Sequence, residues 1–179
     1  MRLRSSWAGG IFLLMTTIGI GLSQGSVQTG AAVCSQPDAI CPTGGERFDP
    51  WDLAFPLPKN LKWQTTYYSA PFFAILLKSV KAEPDDGPGS DKPCAGYIRE
   101  DERQRVQRLF QDRKVFASRY GCSEFLTGYT NVNAEYNFLA VYGGKTQAEA
   151  EKMLARVRAT GQFPDANIRK MQALYDNGD

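Results

Sequence analysis

Residues 137–161, NFLAVYGGKTQAEAEKMLARVRATG, decide how this chain is read. Positions 137–142 are dense in Phe, Leu, Val and Tyr, which suit a half-buried pleated strand. Gly143 and Gly144 break the strand where the chain must turn. Thr146 then stands as a helix N-cap with Glu149 three positions on, so that each satisfies a backbone N–H left unpaired by the first turn. Ala150, Met153, Leu154 and Val157 fall at i, i+3, i+4 and i+7, one apolar stripe for a core. Lys152, Arg156 and Arg158 crowd the second half, where the helix dipole favours cations, and Gly161 supplies the left-handed stop. The unit is a strand followed by a helix that lies back across a sheet.

Outward from that unit, residues 1–23 have the pattern of an export signal. Arg2 and Arg4 lead an uncharged apolar run that ends at Gly21-Leu22-Ser23, a small-residue cleavage site. The run is shorter than the roughly 20 residues that span a bilayer comfortably. Retained uncleaved as a signal anchor, it is the chain's one expected link to a membrane.

The formal charge of +2 lacks the concentrated basic face of a nucleic-acid binder. Histidine is absent, which removes the usual base of Ser and Cys triads and a frequent metal ligand. The acidic clusters, Asp85-Asp86 in a Gly/Pro loop and Glu100-Asp101-Glu102 at a helix start, read as a solvated loop and a dipole complement. No catalytic constellation, cofactor site or metal site is expected. Cys34, Cys41, Cys94 and Cys122 in an exported chain imply two disulfides, with three pairings open in principle. Zinc is the rival, but no pair has CxxC spacing.

Residues 24–64 read as a linker and an arm. The stretch 24–30 is mostly Gln, Gly, Ser and Thr and is expected to be flexible. In 48–63, Pro50, Pro56 and Pro58 forbid regular structure while Phe48, Trp51, Leu53, Phe55 and Leu57 demand burial, against this domain or against a partner. Strand character begins at 67–82, a polar Gly/Pro insertion fills 83–93, and a helix is expected over 99–114 with Val106, Leu109, Phe110 and Arg113 at helical spacing. A strand at 115–120, a turn-rich crossing at 121–133 and a last strand at 166–174 complete the order.

The sequence therefore predicts an α+β fold: a duplicated βαβ (β-α-β-β-α-β) whose four-stranded sheet carries two helices on one face and leaves the other open. In such a unit strands one and two run parallel, so Cys94 and Cys122 reach the same end and pair, leaving Cys34 for Cys41.

The order of elements, together with YNFLAVYGG, KTQAEAEKMLARVRATG and PDANIRKM, resembles the SPOR (sporulation-related repeat) domain over residues 67–175. The resemblance implies a ferredoxin-like arrangement over residues 65–179. It also implies a non-enzymatic envelope module that binds peptidoglycan glycan strands, stripped of stem peptides, on the open sheet face, often at the division septum. The chain departs from the family where Gln or Arg precede the strand-ending glycine, having Leu139, Ala140, Val141 and Tyr142 instead. Aromatic rings would take over sugar contact. Alternation turns Leu139, Val141, Ile75, Leu77, Val115 and Ala117 towards the helices. It leaves Phe72, Lys78, Phe116, Tyr120, Phe138, Tyr142, Lys170 and Gln172 as the expected glycan-binding residues of the open face. Two expectations compete with this: that the arm at 48–63 or a dimer partner covers these aromatics, and that the chain is an assembly subunit of an envelope protein complex that docks through this face or through the Pro/Trp arm.

Overall fold

The computed structural model describes residues 27–43, 48–82, 96–120 and 127–178. The export signal at 1–23, the insertion at 83–93 and the proposed Cys94–Cys122 bridge lie outside them.

The elements are β1 (Val27–Ala31), β2 (Thr66–Ser69), β3 (Phe72–Lys81), α1 (Glu100–Gln107), β4 (Val115–Ala117), β5 (Thr127–Tyr129), β6 (Tyr136–Gly144), α2 (Gln147–Ala159), β7 (Asn167–Met171) and β8 (Ala173–Asp176). The fold is α+β, with two helices and two four-stranded sheets, ordered β4-β6-β3-β7 and β1-β2-β8-β5. The expectation of one sheet with a free face is thereby corrected.

The second sheet arises because two expected strands bend. Residues 67–82 do not form one strand, since Ala70 and Pro71 separate β2 from β3, and proline has no N–H for a ladder. Gln172 separates β7 from β8, its N–H donated to Thr130 Oγ1 at 2.8 Å. β3 pairs with β7 and β2 with β8, both antiparallel, so one bent ribbon contributes two strands to each sheet. Buried Ser69 holds the corner: its hydroxyl accepts from Ala173 N at 3.0 Å and its carbonyl accepts from Gln172 Nε2 at 2.7 Å. The stretch expected to be flexible supplies β1, and the turn-rich crossing supplies β5.

The sequence-derived unit stands. Thr146 Oγ1 accepts from Glu149 N at 3.3 Å while Glu149 Oε2 accepts from Thr146 N at 2.9 Å, completing the capping box. Gly161 has φ +67°, the left-handed conformation that glycine enters at little cost. Helix α1 is shorter than expected, because the Gln107 side chain takes over the hydrogen bonding of the next turn. Its Nε2 donates to the Phe110 and Arg113 carbonyls, both at 2.8 Å, and its Oε1 accepts from Val115 N at 2.8 Å. Phe110 stays fully buried.

Two cores result. Ile75, Leu77, Val115, Ala117, Leu139 and Val141 meet Val106, Ala150, Met153 and Val157 of the helices, as alternation required. On the other side Phe72, Phe116, Phe138 and Tyr142 point away from the helices as expected, yet they are only 0–3% exposed. Leu53, Phe55 and Leu57 of the arm cover them, joined by Tyr129 of β5 and Tyr175 of β8. The arm is held by Cys34 N to Ala54 O (2.7 Å), Ala117 N to Trp51 O (3.1 Å) and Leu53 N to Tyr129 Oη (3.1 Å). Cys34 and Cys41 form a disulfide with Cα atoms 5.8 Å apart, which suggests an oxidising environment outside the cytoplasm.

Candidate functional site

The expected binding residues do not form one surface. Phe72, Phe116 and Tyr142 are core, for the reason just given. Tyr120 is half-buried against the same core, donating its hydroxyl to Tyr129 O at 3.0 Å and accepting from Tyr129 N at 2.9 Å. Lys78 was expected on the front, but the ladder between β3 and β6 slips between Leu76 and Lys78. This bulge pairs Lys78 with helix-facing Leu139, and Lys78 Nζ meets Glu102 of α1 at 2.9 Å. Lys170 is displaced by a one-residue difference in β7: it pairs with Phe73, on the helix side, and sits over that ring at 6.0 Å. Arg169, opposite front-facing Ala74, takes its place. Gln172 lies at the corner between sheets, its side chain bound to Ser69 O.

The same bulge creates the opening that remains. Beyond it Ser79 pairs with Phe138, so Ser79 comes round to the front. Among the described residues a groove of about 520 Å³ is left at this end, lined by Leu76, Ser79, Asn131, Val132, Tyr136 and Arg169, with Asn133 and Phe138 completing it. The loop from β5 to β6 shapes one wall. Asn131 adopts φ +59°, a conformation that asparagine tolerates better than most residues, and its Nδ2 donates to Lys170 O at 2.9 Å. Asn133 caps the next turn, accepting from Glu135 N at its side chain (2.9 Å) and from Tyr136 N at its carbonyl (3.1 Å). Tyr136 is left 42% exposed at the mouth.

The groove offers one accessible ring, two amides, a hydroxyl and a guanidinium over an apolar floor of Leu76, Val132 and Phe138. Rings pack on sugar C–H surfaces while planar donors and acceptors orient hydroxyls, so the set suits a polyhydroxylated ligand. Among the described residues no carboxylate lines it. Of the expected binding residues only Phe138 contributes. The sequence reading missed Tyr136, Asn131 and Asn133, for which the polar loop NVNAEY ahead of a strand is the available signal, whereas Ser79 and Arg169 depend on a bulge and a register that sequence periodicity does not reveal.

No family model matches the chain, and neither a curated protein nor a solved structure does.

A larger cavity, about 720 Å³, lies beside the disulfide loop and is lined by Asp38, Asp49, Asp52, Arg103, Gln107 and Lys114 among others. Its Arg103, Lys114 and Asp52 are engaged in holding the protein together. Arg103 binds Glu100 at 2.7 Å and Val115 O at 2.9 Å, and Lys114 Nζ donates to Pro50 O of the arm. Burial, then the nearby Arg103, pull the Lys114 ammonium below its usual range. Burial pushes the Asp52 carboxyl up to about 6. This cavity reads as the seam of the arm, and the groove is the better candidate for a ligand.

Proposed function

We propose that the chain is an exported binding module of the cell envelope, periplasmic or secreted, that holds a peptidoglycan glycan strand in the groove between Tyr136 and Arg169. The observation that carries this reading is the groove's lining: an exposed ring facing amide, hydroxyl and guanidinium groups at the uncovered end of the sheet face. The order β4-β6-β3-β7 supports a ferredoxin-like, SPOR-like unit, since the two βαβ halves interleave as in a split repeat. In this unit the chain's own second sheet closes most of the front, and ligand contact is confined to what is left. The Cys34–Cys41 disulfide supports an extracytoplasmic address.

Retention on purified sacculi, with and without amidase treatment to remove stem peptides, tests the reading. The wild type is expected to be retained after amidase, and Tyr136→Ala with Arg169→Ala to lose at least tenfold in retention with little change in melting, since both side chains are accessible. Equal retention of variant and wild type, or none for either, overturns it.

A second reading, an assembly subunit of an envelope complex, is favoured by Ile40, which is 98% exposed in the loop closed by the disulfide. A complex pulled down by the wild type and lost with Ile40→Asp, without retention on sacculi, is the outcome that selects it.

A further inference from the structure

At the opposite end of the bent ribbon from the groove, the chain enters β2 through a turn that presents an indole. Trp63 is 65% exposed, and Lys59 and Lys62 beside it are exposed as well. The backbone beneath is fixed from both sides. Lys62 N donates to Tyr67 Oη at 2.7 Å, and Asn177 Nδ2 donates to Lys62 O at 2.9 Å. Gln64 N donates to Asn177 O at 2.9 Å, and Thr65 Oγ1 donates to Trp63 O at 3.3 Å. Gln64 itself sits at φ +52°, an uncommon conformation for a residue with an ordinary side chain, which persists because these contacts determine it. The protein thus holds rigidly a turn whose largest apolar group faces water.

We propose that the turn at residues 59–64 docks on an anionic phospholipid surface. An indole is amphipathic and prefers the headgroup level of a bilayer, and lysines spread their stems along it while keeping the ammonium in the headgroup region. Charge complementarity selects an anionic surface, because residues 58–66 contain two lysines and no carboxylate. The acid on the adjoining strand, Asp176, is half-buried opposite Thr66. The other exposed side chains of residues 59–64 are Lys59, Asn60, Lys62 and Gln64, while Leu61 packs against the core, and so polar a set disfavours a protein interface with a dry centre. A turn already fixed loses little conformational entropy on docking. The inference is independent of what occupies the groove.

The test is the full chain with vesicles of mixed phosphatidylglycerol and phosphatidylcholine, against vesicles of phosphatidylcholine alone. The readout is the Trp63 contribution to fluorescence, taken as wild type minus Trp63→Phe, with quenching by brominated acyl chains. On anionic vesicles that contribution is expected to move to the blue and to be quenched. Lys59→Gln with Lys62→Gln is expected to weaken the effect roughly thirtyfold, at the usual strength of two lysines near such a surface. Melting of each variant should match the wild type, since these side chains are exposed. A Trp63 contribution that stays unquenched on anionic vesicles, or is unchanged in the lysine variant, overturns the proposal. So does one that responds to soluble glycan strands and not to vesicles, which would assign the turn to polysaccharide.

Discussion

Asp52 ties the arm to the second sheet and makes stability depend on pH in a direction opposite to most carboxylates. It is 5% exposed; one oxygen accepts from Asp49 N at 2.9 Å and the other from Thr127 Oγ1 at 3.1 Å. Burial is the main cause of its rise from 3.8 to about 6, offset by those two hydrogen bonds, with Asp49 pushing it further up and Arg119 pulling it down. A carboxyl whose folded value lies above its unfolded one is held more tightly as the neutral acid. Its contribution is complete below about pH 4 and is lost as the pH rises through 6. The difference of about two units corresponds to roughly 3 kcal/mol of stability lost at neutral pH. Asp52→Asn mimics the protonated acid. The variant is therefore expected to match the wild type at pH 4 and to exceed it by about 3 kcal/mol at pH 7.5, a gain of roughly 6–12 °C in melting temperature. Urea or thermal unfolding of both chains at the two pH values measures this. Taking the difference between chains removes the background of Glu100, Asp112 and Glu149, whose lowered values favour the folded state at higher pH. A destabilisation of Asp52→Asn that is larger at pH 7.5 than at pH 4 would refute the reasoning, since the ionised carboxylate would then be the stabilising form.

Phe116→Ala removes a fully buried ring that contacts Phe72, Tyr129 and Phe138, and should cost about 3–5 kcal/mol in urea unfolding; a loss within 1 kcal/mol would mean that this face is open after all. Gln107→Ala deletes three hydrogen bonds that replace the end of α1 and is expected to cost about 2–3 kcal/mol, with faster amide exchange at Val115 as the local signature.

The elements legible in the sequence are those whose signals are local. The strand and helix around Thr146 and Glu149 were readable because cap, stripe and stop lie within one short segment and agree. Alternation likewise assigned Leu139, Val141, Ile75 and Leu77 to the helix side and Phe72, Phe116, Phe138 and Tyr142 to the other. Whether that other side meets water is a non-local matter. Pro50, Pro56 and Pro58 announce an irregular arm, but nothing near them says where Leu53 and Phe55 end up. Strand β5, TGY, has too little apolar pattern to be seen, and gains its place from partners on β8 far along the chain. The candidate site was missed for a related reason: a bulge turned Lys78 to α1 and Ser79 to the front, and periodicity assumes an unbroken count.

The corner at Ser69 and Gln172 has a consequence for how the molecule is made. Strand β8, on which β2 and β5 both depend, follows both of them in the chain, so the second sheet cannot assemble until β8 has emerged. Until then Phe72, Phe116 and Tyr142 lack the part of their cover that Tyr129 and Tyr175 of the second sheet supply, and a half-synthesised molecule carries a partly open aromatic panel of the kind that chaperones recognise. Vectorial synthesis thus leaves the aromatic core short of its full cover until β8 has paired with both of its neighbours.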